Sequence, residues 1–229
     1  MIRRFNAGDS GLKRALIRGA YYVFIVLPFP LRRLAVAGFI TGVLRLKRWL
    51  GVERQSALTA RDEIGTLSFW GVPDVDLGTF MLTVDGAVAR PRMWRFEELA
   101  ALPSREVAVR MDCVSGFRNN TMMRGVTVAS VLEMVGPLAE ARRAIVWCAD
   151  GYDTSSTLAD VREAGAMLVW EVNGEREARF GFPLRLAMPG RYGYQWAKWV
   201  QRIEVVRHDR QGYWPRRGLP DRARLGDRW

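Results

Sequence analysis

The sequence predicts an α+β fold built on a mixed β-sheet, and three observations support this. Segments with the periodicity of β-strands outnumber those with the periodicity of helices. They do not alternate regularly with helices, as the strands of a parallel α/β sheet would. The 229 residues are 49% hydrophobic and 26% charged, with 22 glycines and 10 prolines, which is typical of a folded globular chain.

The elements can be justified in chain order. Residues 80–84 and 107–111 alternate apolar and other side chains with period two, which predicts half-buried strands. Thr127 is a plausible N-cap for a short helix, because apolar residues recur at helical spacing from Val128 to Val135. Asn173-Gly174 is a two-residue hairpin signal. Four further segments predict strands, namely residues 144–148, 167–172, 184–188 and 199–206.

The composition excludes most metal sites made from protein ligands alone. His208 is the single histidine, and Cys113 and Cys148 are the two cysteines, so a zinc cage or a multi-histidine iron site cannot be built. Taken alone, Cys113 reads as a small buried side chain at the end of a strand. A disulfide with Cys148 stays open at this stage.

The charge is distributed unevenly along the chain. The net charge is +11, and residues 1–54 contain eleven basic and two acidic residues. Apolar runs at residues 19–31 and 34–44 are separated by Arg32-Arg33, and neither reaches the roughly 20 residues needed to span a bilayer. This pattern favours helices lying on a membrane surface. A helical arm packed on its own domain or on a second subunit, and a targeting peptide, are the alternatives.

These shifts in composition divide the chain into four parts. Residues 1–54 are a basic, apolar N-terminal extension, and residues 55–79 are a linker punctuated by glycine and proline. Residues 80–215 form the main domain, and residues 216–229 are a basic tail.

Basic residues are not interleaved with aromatic ones, as a nucleic-acid stacking platform would need, so we expect no nucleic-acid partner.

A second cluster lies between residues 181 and 200, where glycines alternate with basic residues. Glycines allow backbone N–H groups to approach an anion closely, and Arg185, Arg191 and Lys198 add three positive charges. A phosphate or pyrophosphate is the natural ligand of such a segment. A basic surface turn beside a strand is the alternative.

Several motifs in a fixed order resemble the molybdopterin-binding oxidoreductases of the sulfite oxidase family, of the bacterial, haem-free type. The resemblance covers roughly residues 65–215. It is carried by Cys113-Val-Ser-Gly, Gly125-Val126, Asp150-Gly151-Tyr152, Asn173-Gly174, Gly181-x-Pro-Leu-Arg185, Pro189-Gly-Arg-Tyr-Gly-Tyr194, Lys198-Trp-Val and Gly212-Tyr-Trp214.

The resemblance implies a molybdenum–molybdopterin cofactor whose metal is bound by the Cys113 thiolate. It also implies that Arg185 and Lys198 contact the pterin phosphate. The backbone at Trp196 and Ala197 would contribute N–H groups, and Phe69 and Trp70 would cover the pterin. Arg118 would lie near the metal and bind substrate, with Tyr152, Arg191 and Tyr192 in the wall of the pocket.

The implied activity is a two-electron oxygen-atom transfer to or from a small sulfur or nitrogen oxo compound. Sulfite oxidation would need a cationic pocket, which Arg118 and Arg191 could form, and sulfoxide or N-oxide reduction a more neutral one. Met123, Phe117 and Phe180 depart from residues frequent in the family and bear on substrate identity. A metal-free binding module of the same fold is the alternative.

The extension suggests where such an enzyme would work. We expect a bacterial, membrane-associated protein, with the periplasmic or cytoplasmic face undecided. The extension would dock the domain on the membrane surface beside an electron carrier such as a b-type cytochrome. One histidine and no cysteine pair for haem attachment mean that any haem would belong to another protein.

Overall fold

The computed structural model describes residues 57–68, 70–114 and 117–226, together with ten single positions between residues 19 and 49. Eight of those ten positions are helical, as the expectation of a helical extension requires. The rest of the predicted extension and residues 227–229 of the tail lie outside the described residues. Within the described part, no helix is both long enough and apolar enough to cross a membrane.

The first sheet is mixed and has five strands in the order β2-β1-β9-β5-β6. Strand β1 runs parallel to β9, and the other neighbours pair antiparallel. Its strands are β1 (Met81–Gly86), β2 (Arg92–Arg95), β5 (Arg143–Cys148), β6 (Asp153–Thr157) and β9 (Val200–Val206).

The second sheet has four antiparallel strands in the order β3-β4-β7-β8. Its strands are β3 (Arg105–Asp112), β4 (Arg118–Thr127), β7 (Met167–Val172) and β8 (Arg185–Ala187). The α+β prediction is confirmed. The sequence had indicated one mixed sheet, whereas the strands form two, because a long antiparallel hairpin of β3 and β4 starts a separate sheet.

Three short helices cover the sheets: α1 (Phe96–Ala100), α2 (Val128–Val135) and α3 (Leu158–Glu163). Helix α2 begins as predicted, because the Thr127 hydroxyl accepts a hydrogen bond from the Ser130 N–H. It ends at Gly136, which adopts the left-handed conformation that favours glycine. Apolar side chains of both sheets and of α2 and α3 join in one buried core.

The segment predicted as a linker packs on the domain where it is described. The Thr59 N–H donates to the Asn120 carbonyl at 2.8 Å, and the Gly65 N–H donates to the Asn119 side chain at 3.0 Å. Ile64 is buried in the core. Residues 57–68 are therefore bound along β4 and end close to the glycine-rich segment that precedes β9.

Candidate active site

Cys113 lies at the tip of the β3–β4 hairpin, directly after β3 ends at Asp112. Its N–H donates to the Phe117 carbonyl at 2.9 Å, and its side chain is partly buried. Ser115 and Gly116 lie outside the described residues. Cys113 and Cys148 form no disulfide, which resolves the pairing that the sequence left open. A thiol at the end of a strand can thus reach a ligand held by neighbouring loops.

The second element of the site is the glycine-rich loop (residues 188–199), which connects β8 to β9. It approaches the hairpin at Asp112, which forms an isolated parallel bridge with Tyr192. A Cβ atom at Gly193 would lie 2.8 Å from the Met111 sulfur and 3.5 Å from the Cys113 Cα. The lack of a side chain at Gly193 therefore allows the loop to pack against Cys113.

Two basic side chains, Arg185 of β8 and Lys198 of this loop, lie side by side. A Cβ at Gly181 would contact the Cβ atoms of both Arg185 and Lys198, at 2.9 and 3.0 Å. Arg185 is buried, and desolvation lowers its pKa to about 10. Its Nη1 donates to the Phe180 carbonyl at 2.9 Å, whereas its buried Nε has no hydrogen-bond partner.

Lys198 is also held away from solvent, although its side chain is only partly buried. Desolvation, and then the charge of Arg185, lower its pKa to about 7. Its ammonium donates to the Leu67 carbonyl at 2.7 Å and lies 4.5 Å from the centre of the Trp199 ring. An ionised Cys113 would raise the pKa of Lys198, so the two groups are within electrostatic reach of each other.

Neither Arg185 nor Lys198 forms an ion pair with a carboxylate of the described residues. Two neighbouring cations, one with an unpartnered buried N–H, are costly to bury unless an anion compensates them. The backbone N–H groups of Ala197 and Lys198 also find no acceptor in the described part of the chain, whereas the Trp196 N–H donates to the Gly193 carbonyl at 3.1 Å. The arrangement therefore fits a phosphate.

The two arginines expected at the substrate pocket have carboxylate partners. The Nε of Arg118 lies 2.6 Å from the Asp112 carboxylate, which also lies 3.1 Å from the Arg110 Nε. The Nη2 of Arg191 lies 3.1 Å from the carboxylate of Asp160. Arg118 is thus bound beside Cys113, while Arg191 is directed to α3.

Aromatic residues form one wall near the turn that follows β5. The ring centres of Trp70 and Tyr213 are 5.2 Å apart, and those of Tyr152 and Tyr213 are 5.6 Å apart. The Tyr152 hydroxyl donates to the Tyr194 carbonyl at 2.5 Å, which ties this wall to the glycine-rich loop. Desolvation raises the pKa of Tyr152 well above its usual value, so the phenol keeps its proton. Phe69 lies outside the described residues.

Three further residues in the site were not singled out from the sequence. Burial raises the pKa of Cys148 and of Asp150, and both groups act electrostatically on Lys198. Gln195, within the glycine-rich loop, is fully buried. The Asp150-Gly151-Tyr152 motif was the available signal for Asp150, but no spacing rule identifies Cys148 or Gln195.

The chemistry of these groups suits a metal that arrives with its own carrier. No group of three or more His, Cys, Asp or Glu side chains in the described residues could hold a metal ion. One thiol is available at Cys113, and a soft thiolate is a good ligand for a sulfur-preferring metal. The glycine-rich loop and the two cations would hold an anionic organic carrier beside it.

Comparison with known proteins points to one family. The family model for the oxidoreductase molybdopterin binding domain matches residues 69–214. An uncharacterized oxidoreductase of Bacillus subtilis (strain 168) is 31% identical over 156 residues, which cover 67% of this chain and 77% of that protein. A protein of Azospira oryzae, provisionally named a protein-methionine-sulfoxide reductase subunit, is 34% identical over 148 residues, or 64% of this chain and 56% of that protein.

The fold also has a counterpart among solved structures. The crystal structure of the sulfane dehydrogenase SoxCD from Paracoccus pantotrophus matches with a TM-score of 0.62 at 21% identity, covering 69% of this chain and 46% of that chain. At this identity the likeness concerns the fold. The chain thus spans about half the length of the Azospira protein and of the SoxCD chain.

Proposed function

Since the chain belongs to the molybdopterin-binding oxidoreductase family and is a molybdopterin-dependent enzyme, we propose that it reduces a small, uncharged sulfoxide-like oxo compound. The metal when bound supplies two-electron oxygen-atom transfer, and the protein supplies orientation and charge. The observation that carries the proposal is the pairing of Arg118 with Asp112 beside Cys113.

In this proposal Cys113 is the protein ligand of the molybdenum. A coordinating thiol is deprotonated, and the positive charge of Lys198 nearby favours the thiolate. Arg185 and Lys198 bind the pterin phosphate, with N–H groups at Ala197 and Lys198 as additional donors. Trp70 borders the site, while Tyr152, Tyr192 and Trp196 fix the glycine-rich loop. Their contacts within the loop support this role.

The proposed substrate class follows from charge. An anion such as sulfite would be bound best by arginines without a carboxylate partner, but Arg118 is paired with Asp112 and Arg191 with Asp160. Each guanidinium already donates to a carboxylate, so an incoming anion would have to compete with that carboxylate for its N–H groups. An uncharged oxo group can still accept a hydrogen bond from a paired guanidinium, because that group has five N–H donors.

A substrate comparison tests this proposal. Purified enzyme reduced by an artificial electron donor should turn over dimethyl sulfoxide or methionine sulfoxide with a kcat/KM at least about tenfold above that for sulfite oxidation with an artificial acceptor. A tenfold preference corresponds to about 1.4 kcal/mol of transition-state stabilisation. Trimethylamine N-oxide probes the nitrogen analogue. A preference for sulfite would overturn the sulfoxide proposal without affecting the cofactor.

We also propose that the N-terminal extension docks the enzyme on an anionic membrane surface, beside a membrane electron carrier such as a b-type cytochrome. The described helical positions include exposed apolar side chains, of which Val26 is 82%, Leu34 68% and Trp49 81% exposed. Together with the eleven basic residues of residues 1–54, they are suited to lie among lipid headgroups.

Vesicle binding tests the docking proposal. The full chain should sediment with vesicles containing phosphatidylglycerol, less so with purely phosphatidylcholine vesicles, and binding should weaken with added salt. A chain lacking residues 1–54 should stay in the supernatant. Equal sedimentation of both chains would assign membrane binding to another surface, and no sedimentation of either would contradict the proposal.

A further inference from the structure

Residues 219–225 cross the outer side of the glycine-rich loop, and we call them the strap. The sequence indicated only a basic tail here, whereas the described part of that tail is bound to the domain. Three hydrogen bonds join the strap to the loop: Tyr192 N–H to the Ala223 carbonyl (2.8 Å), Leu225 N–H to the Gly190 carbonyl (3.0 Å) and the Tyr194 hydroxyl to the Pro220 carbonyl (2.7 Å).

Ion pairs fix the strap to the body of the domain. Asp221 lies 2.9 Å from Arg143 of β5. On α3, Asp160 lies 3.3 Å from the Arg222 Nε, and Glu163 is paired with Arg224. Asp160 and Arg143 are buried, so the pairs that involve them are screened by solvent less than the more exposed pair of Glu163 with Arg224. The strap is thus attached both to β5 and to α3.

Gln195 connects the strap to the sheet through a single side chain. Its carboxamide oxygen accepts hydrogen bonds from the hydroxyls of Thr154 and Ser156 on β6. Its Nε2 donates to the Asp221 carbonyl at 2.9 Å. The side chain is 1% exposed and has the acceptor and the donor that this position needs. Gln195 lies two residues after Gly193, which packs on Cys113.

Apolar packing extends this connection to the metal-binding hairpin. Leu219 and Ala223 of the strap form a small buried cluster with Tyr192 and Tyr194 of the loop, and Val114 packs against it. Val114 is the residue directly after Cys113. The strap therefore contacts both structures between which the cofactor would be held.

We propose that the strap and Gln195 are positioning groups. They hold the glycine-rich loop against Cys113, and in doing so they determine how long the cofactor is retained. The second half of this inference rests on the proposed cofactor site, whereas the first half concerns the polypeptide alone. No residue of the strap is assigned a contact with the cofactor.

Two variants and a matched control test the proposal. Arg224→Ala removes the ion pairs of the strap with Glu163 and Asp160 at a partly exposed site, where folding should be preserved. Gln195→Met removes both the donor and the acceptor of the carboxamide at similar volume. Arg207→Ala removes a comparable pair with Glu140, which involves neither loop nor strap. In cofactor-free protein, alkylation by iodoacetamide should become about fivefold faster at Cys113 in both variants, the change expected for one lost net interaction.

Cys148, on β5, serves as an internal reference for the same samples. General loosening of the domain would accelerate alkylation of both cysteines, whereas displacement of the loop accelerates only that of Cys113. Unchanged Cys113 rates in Arg224→Ala and Gln195→Met, or equal acceleration at both cysteines, would overturn the positioning role. If Gln195→Met does not fold, Arg224→Ala alone decides.

Retention is measured on protein purified with its cofactor. Loss of pterin after dilution, followed by its fluorescence, should be about fivefold faster in the two variants and unchanged in Arg207→Ala. Faster alkylation without faster loss would overturn the retention half. Wild-type protein without pterin would instead contradict the proposed function, and the alkylation result would still decide the positioning half.

Discussion

In the proposed site the chemistry depends on Cys113, because its backbone packs against the glycine-rich loop and its thiol lies within electrostatic reach of Lys198. Cys113→Ser should abolish turnover and reduce molybdenum content, because a serine oxygen is a poor substitute for a soft thiolate ligand. The loss should exceed the roughly 10- to 100-fold that follows removal of an outer partner of a metal ligand. Cys148→Ser is the control, and it should retain molybdenum. Near wild-type turnover in Cys113→Ser would show that the ligand is misassigned.

The lowered pKa of Lys198 predicts how the stability of the cofactor-free protein depends on pH. Its pKa falls from 10.5 to about 7 on folding, so the folded state binds fewer protons than the unfolded state between these values. The cost of the buried charge is therefore present in full below pH 7 and disappears as the pH rises towards 10.5. Lys198→Met should be more stable than wild type at pH 6, by about 3 kcal/mol after discounting for partial exposure.

Urea unfolding of both proteins from pH 6 to pH 10 measures this difference. The advantage of Lys198→Met should shrink steadily as the pH increases. The same substitution should lower cofactor occupancy, because the phosphate loses one of its two cations. A stability difference independent of pH, or full occupancy in the variant, would remove Lys198 from the phosphate site.

Sequence reasoning proposed these residues by motif, and it could not predict which side chains surround them. Arg185 and Lys198 are thirteen positions apart in the sequence, yet both pack against Gly181, whose lack of a side chain allows their close approach. The ion pair of Arg118 with Asp112 was not foreseen, and it changes the expected charge of the pocket. Partners of a side chain depend on packing across strands, and no alternation pattern records them.

At the scale of elements, the contact between β4 and β7 leaves the least space for a side chain. A Cβ atom at Gly125 would lie 2.0 Å from the Leu168 carbonyl oxygen, where the register of the two strands shifts. Gly125→Ala should lower the free energy of unfolding by about 3 kcal/mol, since backbone of β7 would have to move. Gly78→Ala meets only the flexible Asp76 side chain at 3.4 Å and should cost less than about 0.5 kcal/mol.

Equilibrium denaturation of the metal-free proteins compares these two variants. A small cost for Gly125→Ala would mean that the sheet can part at this bulge, and that the close packing of β4 on β7 is not essential.

Elements in which apolar residues recur at the spacing of a strand or a helix were predictable, and elements rich in polar residues were not. Residues 167–172 form β7 as expected, and Asn173 and Gly174 both adopt positive φ in the turn that follows. The turn leads to an isolated bridge at Glu175 rather than to a full strand. Strand β4 escaped notice because its first residues are the polar Arg118, Asn119 and Asn120. The two asparagines form hydrogen bonds with residues 57–65. Four more elements were missed: β2, β6, α1 and α3.

For the whole molecule, the main feature is that the excess of basic residues and the proposed active site lie in different parts of the sequence. Residues 1–54 contain eleven basic and two acidic residues, whereas the proposed site, from Leu67 to Tyr213, lies outside them. A chain lacking residues 1–54 should therefore load molybdenum and pterin as well as the full chain, and turn over with an artificial donor at an unchanged rate. Metal analysis beside a steady-state assay checks this. A loss of cofactor on deletion would mean that the extension belongs to the folded domain.

The central claim is that a thiolate from the β3–β4 hairpin and a cationic, glycine-lined loop together bind a molybdenum–pterin group. The most direct measurement is the molybdenum and pterin content of protein purified from a molybdenum-replete host. The account predicts about one of each per chain, as a single site of this kind requires. A well-folded protein that contains neither would contradict it and would favour a binding module of the same fold.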